Sequence, residues 1–159
     1  MTHHAYLSIV GRKLGHISRG LIPAPMNDKR EPEHIDKIKI LSYNHTLTRI
    51  EAPDGLSEHP FFFSKFQDRS TPLLVQTFAE GEIIDCEVTL YRESQSGTQQ
   101  KYFTFHLEGG VLTSFKTENQ RMPSGGEETV EQFGICYRRI SETFHEGNTG
   151  ESFPQPSDL

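Results

Sequence analysis

The chain has 159 residues, a size typical of one domain whose core is large enough to fold without a metal or a disulfide framework. Its 16 Lys and Arg against 22 Asp and Glu give a formal net charge of −6, which disfavours nucleic acid as a partner because that binding depends on Lys and Arg. No apolar run is long enough to cross a bilayer and the N-terminus lacks the pattern of a secretory signal, so we expect assembly in the cytoplasm and no membrane insertion.

The first half of the chain predicts strands joined by long polar segments. Residues 6–10 and 38–45 both alternate between apolar and polar side chains, which is typical of half-buried strands. Residues 15–33 show no such period and are rich in Gly and Pro, which predicts a loop. Residues 46–60 form a second polar connection, and its Pro53-Asp54-Gly55 sequence predicts a turn.

One short helix is marked at both ends, from about Thr71 to Glu80. Thr71 can cap the first free N–H groups, and Pro72 suits the start of a helix because its missing donor costs nothing there. Gly81 can adopt the left-handed conformation that stops the helix. A helix this short is not stable alone and must pack on a sheet. We expect three apolar side chains to make that contact, Leu73, Leu74 and Phe78.

The second half again predicts strands, at residues 84–91, 102–107, 111–116 and about 129–144. Gly109-Gly110 should break or bulge the ladder between two of them. Together the elements predict a mainly-β, single-domain barrel or sandwich of two sheets with one short helix. The domain is expected to span residues 1–146, and residues 147–159 to form a flexible C-terminal tail.

Five segments, in this order and at similar spacing, resemble the haemolysin-coregulated protein (Hcp) family, whose members form the tube of the bacterial type VI secretion system. They are residues 5–11 (AYLSIVG), 38–45 (IKILSYNH), 65–74 (KFQDRSTPLL), 86–92 (CEVTLYR) and 131–141 (EQFGICYRRIS). The resemblance covers most of the chain. Glu142 departs from it, because many family members carry a tryptophan at this position.

The resemblance implies a structural protein without catalytic activity. Six copies would close into a ring, and rings would stack into a hollow tube that leaves the cell by the type VI route. The implied partners are copies of the chain itself, the spike protein at the tube tip, the contractile sheath and small effector proteins in the lumen. The resemblance also implies that the 46–60 connection contacts the next ring. The residues to which we assign this role are Arg49, Glu51, Asp54 and Glu58. A merely solvated loop is the alternative.

Two polar strand faces are candidates for the lumen of such a tube, and exposure on its outer surface is the equal alternative. The first face consists of Glu87, Thr89 and Tyr91, and the second of Tyr102, Thr104 and His106. Sheet edges are the other informative feature, because a strand with open N–H and C=O groups must be blunted or paired. A ring whose subunits extend one another's sheets satisfies these groups.

We predict no catalytic, metal or cofactor site from the sequence. None of the eight histidines has the close spacing of common zinc sites, and His45 is interpreted as a structural hydrogen-bonding residue. No nucleophile motif is present, and the carboxylates of Glu80 and Glu82 are expected to be solvated. Cys86 and Cys136 are interpreted as buried thiols rather than a disulfide. The alternative function is a monomeric β-sandwich that acts as a ligand-binding module or a small enzyme.

Overall fold

The computed structural model describes residues 3–19, 36–47, 60–146 and 149–154. These residues form ten strands and one helix. In chain order they are β1 (His3–Gly11), β2 (Gly15–His16), β3 (Ile38–Ile40), β4 (Ser42–Asn44), β5 (Phe61–Phe66), α1 (Thr71–Glu80), β6 (Ile84–Glu93), β7 (Gln99–Arg121), β8 (Glu127–Cys136), β9 (Arg139–Glu146) and β10 (Thr149–Pro154). The predicted mainly-β class with one short helix is confirmed.

The strands form one antiparallel sheet that folds over on itself. Its main path runs β2-β1-β6-β7-β8-β5-β4, while β3 pairs with β1, and β9 pairs with both β7 and β10. The two expected sheets are therefore two halves of one sheet that share β7. The sheet is not closed, because no ladder between described strands joins β1 directly to β5. Only Leu41 lies between β3 and β4, and its N–H donates to the carbonyl of Ser64.

β7 changes partners halfway along its 23 residues, at Gly109 and Gly110. Before these glycines it pairs with β6, and after them it pairs with β8. Gly109 has φ of 61°, in the left-handed region that favours glycine. A Cβ on Gly110 would lie 3.0 Å from the side chain of Ile135, so a larger residue would push the two strands apart. The predicted break in the ladder is thus the place where β7 passes from one half of the sheet to the other.

The C-terminal part differs from the sequence prediction in two ways. The single strand expected over residues 129–144 is two strands, β8 and β9, separated by Tyr137 and Arg138. The N–H of Arg138 donates to the carbonyl of Glu108, which holds the connection against β7. Residues 149–154, expected within a flexible tail, form β10 and pair antiparallel with β9.

Helix α1 has the predicted bounds but a different start. Ser70 is the N-cap and makes no side-chain cap, so the predicted capping role of Thr71 is wrong. Thr71 is the first helical residue, which places Pro72 second, where its missing N–H is also harmless. Gly81 ends the helix with φ of 63°, as predicted.

The buried side of α1 contains Leu73 and Leu74, as expected from the sequence. Phe78 does not join them, because 38% of its surface is exposed. The third buried position is taken by Thr77, whose hydroxyl donates to the carbonyl of Leu73 at 2.7 Å. Since this hydrogen bond is made within the helix, the hydroxyl can be buried without a partner on the sheet.

A buried ion pair lies beneath the first turn of α1. Lys65 on β5 and Glu131 on β8 are directly opposite each other, and both side chains are fully buried. Lys65 Nζ lies 2.8 Å from Glu131 Oε1 and 3.0 Å from Asp68 Oδ1. The hydroxyl of Thr71 donates to the same Glu131 oxygen at 2.7 Å and therefore ties the start of the helix to the sheet. Glu131 Oε2 is buried without a hydrogen-bond partner among the described residues.

A second buried carboxylate holds the turn between β1 and β2. Glu82, which follows α1, was expected to be solvated but is only 7% exposed. Its Oε2 accepts hydrogen bonds from the backbone N–H groups of Lys13 at 3.2 Å and Leu14 at 2.7 Å. The correction has a physical reason, because a carboxylate can be buried when it satisfies backbone donors that would otherwise be unpaired.

We expect Lys65→Met to lower the free energy of unfolding by about 3–5 kcal/mol, because Glu131 would remain as an uncompensated buried charge. The double variant Lys65→Met/Glu131→Leu should be less destabilised than Lys65→Met alone. Urea denaturation at one fixed protein concentration measures both. Lys116→Met is the control, since the Lys116–Glu118 pair is exposed and should contribute no more than about 0.5 kcal/mol. Additive losses at positions 65 and 131 would contradict the prediction.

We expect Glu82→Ala to destabilise the protein by about 2–3 kcal/mol, because two backbone donors in the β1–β2 turn lose a charged acceptor. Glu82→Gln should cost less, since its amide oxygen can still accept one of these bonds. The same denaturation experiment measures both variants. Glu80→Ala is the matched control on an exposed carboxylate, and an equal loss for both alanine variants would show that the turn contacts contribute nothing specific.

Candidate assembly surface

The polar face of β6 and β7 brings four of the six predicted residues together. Thr89 lies directly opposite Thr104, and Glu87 lies directly opposite His106. Residues that face each other in an antiparallel ladder project to the same side of the sheet. Glu87 and His106 are exposed, whereas the two threonines are buried, with 2% and 8% of their surfaces exposed.

A bulge in the same ladder separates the remaining two residues. Leu90 pairs with Phe103, but Tyr91 pairs with Lys101, so Tyr102 is the extra residue on β7. Tyr102 therefore has no partner position on β6, and Tyr91 lies opposite Lys101 instead. The ring of Tyr102 contacts His3 edge-on at 5.8 Å and lies below the guanidinium of Arg92. Simple alternation in the sequence does not reveal such a one-residue shift.

Neutral hydrogen-bonding groups dominate this face near its centre. Thr104 Oγ1 lies 3.0 Å from His145 Nε2, across the β7–β9 ladder, and Thr89 donates to Glu87 at 3.3 Å. Burial is the main cause that lowers the pKa of His145, and Lys101 lowers it further, while Glu87 acts in the opposite sense. His145 is therefore mostly uncharged at neutral pH. The two threonine hydroxyls are therefore used within the sheet, and the groups of this face that remain exposed are the Glu87 carboxylate and the His106 imidazole.

Several of the described strands pair on one side only, and β10 and the second half of β7 are the longest of these open edges. β10 pairs only with β9, and residues 111–121 of β7 pair only with β8. The N–H and C=O groups on an unpaired edge can accept a strand from another chain. β9 pairs with β7 beside the polar face, and β10 pairs with the other side of β9. The open edge of β10 is therefore the outer edge of this half of the sheet. Periodicity does not predict β10, because residues 147–159 are rich in Gly, Pro and Ser.

The candidate ring-contact residues Arg49, Glu51, Asp54 and Glu58 lie outside the described residues. The described chain stops at Leu47 and resumes at Pro60, and the two ends belong to the segments that carry β4 and β5. These strands pair with each other, so the connection leaves and re-enters the sheet at one end of this strand pair.

An aromatic cluster around His45 lies at that end. His45 Nε2 and the hydroxyl of Tyr137 are 2.8 Å apart, which agrees with the interpretation of His45 as a hydrogen-bonding residue. The imidazole also contacts Phe61 and Phe105. Glu142 places Oε1 3.9 Å from His45 Nδ1. Burial lowers the pKa of His45 and raises the pKa of Glu142.

A concave surface lies between the N-terminal end of β1 and the segment joining β3 to β4. It has a volume of about 400 Å³ and combines aromatic, aliphatic and imidazole side chains. The lining residues are His3, His4, Ala5, Ile40, Leu41, Ser42, Tyr43, Leu90 and Tyr102. Burial and the neighbouring Tyr102 raise the pKa of Tyr43, so the phenol of Tyr43 is protonated at neutral pH and can donate a hydrogen bond.

Other chemistry is sparse in the part of the chain that the structure describes. No three His, Cys, Asp or Glu side chains there converge in a way that could hold a metal ion. Cys86 and Cys136 are both free thiols, and burial raises the pKa of the Cys86 thiol, which makes it a poor nucleophile. None of the described helices has the length and apolarity to span a bilayer.

Comparison with known proteins gives one consistent family. Residues 26–144 match the sequence profile of a family described as "Type VI secretion system effector, Hcp". The chain is 29% identical to the "Major exported protein" of Pseudomonas aeruginosa, over 96% of this chain and 95% of that protein.

Solved structures agree with the sequence match. One similar structure is "Secreted protein Hcp3 from Pseudomonas aeruginosa", with a TM-score of 0.76, 26% identity and coverage of 96% of this chain and 98% of that one. Another is titled "Crystal structure of Hcp protein", with a TM-score of 0.78, 24% identity and coverage of 97% and 100%. The second of these supports the fold alone.

Proposed function

The chain belongs to the Hcp family of type VI secretion proteins, and on this premise we propose that it is a non-enzymatic tube subunit that closes into six-membered rings. The rings stack into a hollow tube, which assembles in the cytoplasm and leaves by the type VI route. Its partners are further copies of the chain, the spike protein at the tip, the contractile sheath and small effectors in the lumen. The observation that carries the proposal is the fold match across nearly the whole chain, together with the exported relative.

Ring closure follows from the open strand edges. Two different strands provide open edges, β10 and residues 111–121 of β7. Either edge can pair with a complementary surface of the next copy. A contact between two different surfaces repeats around an axis and closes into a ring when the rotation allows it. Each added copy then satisfies backbone groups that would stay unpaired in a single chain.

The polar face of β1, β6, β7 and β9 supports a role as the lumen wall. In this arrangement the exposed Glu87 and His106 line the cavity and contact cargo, while Thr89 and Thr104 lie buried between them in the wall. The 46–60 connection, with Arg49, Glu51, Asp54 and Glu58, provides the contact between rings. Each chain carries a net charge of −6, so stacking requires faces of complementary charge and weakens when they are screened.

A ligand-binding module is the second candidate, and the concave surface lined by His3, Tyr43 and Tyr102 favours it. Its volume is within the range of small-molecule sites. This function would be exercised by a monomer or a dimer, so the oligomeric state separates the two candidates.

Light scattering coupled to gel filtration should give a particle of about six times the 18.1 kDa chain mass. The mass should persist on dilution to low micromolar concentration, because a closed ring has no free edge at which subunits can be lost singly. A monomeric mass at high protein concentration would rule out the ring and favour the binding module.

Thiol labelling tests which face lines the lumen. A cysteine introduced as His106→Cys, in a Cys136→Ser background, should react with a small maleimide in the assembled tube but only slowly with one that carries a long polyethylene glycol chain. Gln76→Cys, on the exposed side of α1, is the control and should react with both reagents. Equal labelling of position 106 by both reagents would place the polar face on the outside.

A further inference from the structure

His45 lies where four parts of the fold meet. It follows β4, and its imidazole contacts Phe61 of β5 at 5.4 Å, Phe105 of β7 at 5.8 Å and Tyr137, between β8 and β9, at 6.0 Å. Only 8% of its side chain is exposed. Three aromatic side chains thus enclose the ring. It can make polar contacts with its surroundings only through its two nitrogens.

Each of the two nitrogens faces a different polar group. Nε2 is 2.8 Å from the hydroxyl of Tyr137, and Nδ1 is 3.9 Å from Oε1 of Glu142. A carboxylate favours a proton on the nitrogen that faces it, so the neutral ring carries its hydrogen on Nδ1. Nε2 is then the acceptor, and the hydroxyl of Tyr137 is the donor.

We propose that His45, Tyr137 and Glu142 form a proton-controlled junction that holds β9 against β4 and β5 at neutral pH and loosens it in acid. The three residues link the end of β4 to the β8–β9 connection, through Tyr137, and to β9, through Glu142. Glu142 lies directly opposite Phe105 in the β7–β9 ladder, so β9 itself makes the contact with His45.

Proton uptake changes the hydrogen bond at Nε2. When Nε2 takes a proton from solvent, the imidazolium becomes a donor at both nitrogens. The hydroxyl of Tyr137 can then no longer donate to the ring and must turn to accept from it. Acid also neutralises Glu142, and the two protonations together leave a positive charge among aromatic rings without an anionic partner, a state that favours movement of His45 toward water.

The surrounding groups set the pH range of this response. The titratable groups that face the cluster within the described residues are Tyr43, Tyr137 and Glu142, and Phe61 and Phe105 contribute none. Burial lowers the pKa of His45 from its ordinary 6.5, so the unfolded chain binds this proton more readily and stability falls as pH drops below 6.5. Burial raises the pKa of Glu142 from 4.5, so the folded chain binds that proton more readily, and this effect opposes the loss as pH falls toward 4.5.

The titration of His45 can be followed by NMR of protein with ¹³C-labelled histidine rings, with its signal assigned by its disappearance in His45→Gln. Tyr137→Phe removes the donor that favours the neutral ring, so the pKa of His45 should rise by about half a unit or more. Glu142→Gln removes the carboxylate that favours the charged ring, so the pKa should fall by a similar amount. The control is Glu108→Gln beside His106, a pair of similar distance but well exposed, where the shift of His106 should be smaller.

Shifts of opposite sign in the two variants support the junction. A His45 signal that titrates at the same pH in the natural protein and in both variants would overturn it, as would shifts of the same sign.

Hydrogen exchange tests the effect on β9. After correction for intrinsic rates, peptides that cover Arg139–Glu146 should exchange about tenfold faster near pH 5 than near pH 7, while peptides of β5 should change little. Glu142→Gln should alter this pH dependence. Equal protection of β9 at both pH values, with His45 titrating normally, would show that the proton has no effect on the strand.

Light scattering on the same samples measures whether rings are lost at the lower pH. It therefore separates the local response of β9 from ring dissociation, and a failure of the junction would not contradict the proposed tube function.

Discussion

The fold depends on β7 belonging to both halves of the sheet. Its first half pairs with β6 and β9 and its second half with β8, and the change occurs at Gly109 and Gly110. Glycine is required there because one position has a left-handed backbone and the other lies against Ile135. The pairing of β7 therefore sets the register of the polar face and the position of β9. The position of β9 in turn sets where the open edge of β10 lies.

Buried polar groups fasten the other elements to this framework. The Lys65–Glu131 pair and Thr71 attach α1 to β5 and β8, and Glu82 holds the β1–β2 turn. Each carboxylate is buried because it meets donors that would otherwise be unsatisfied, which makes the contacts specific rather than merely attractive. Apolar packing alone could hold a short helix in several positions on the sheet. Three hydrogen-bonding atoms at its first turn fix the helix in one of these positions.

The surfaces that remain after folding explain why assembly suits this chain. Strand edges at β10 and along the second half of β7 are open, and the polar face of β6 and β7 exposes Glu87 and His106. Among the described residues there is no converging set of metal ligands, and the buried Cys86 is a poor nucleophile. The proposed ring would complete the backbone at these open edges, and the proposed His45 junction would act on β9, which borders one of them.

Sequence alone determined the features that depend on local pattern. Alternation identified the main strands, the Pro72 and Gly81 signals located α1, and five segments indicated the family. Tertiary structure decided the features that depend on residues distant in the chain. The β7 bulge moved Tyr102 away from Tyr91, Thr77 rather than Phe78 was buried, and Glu82 found backbone donors almost 70 residues away. The physical reason is that propensity and periodicity act over a few residues, whereas register, burial of a carboxylate and the meeting of His45 with Glu142 depend on which strands become neighbours.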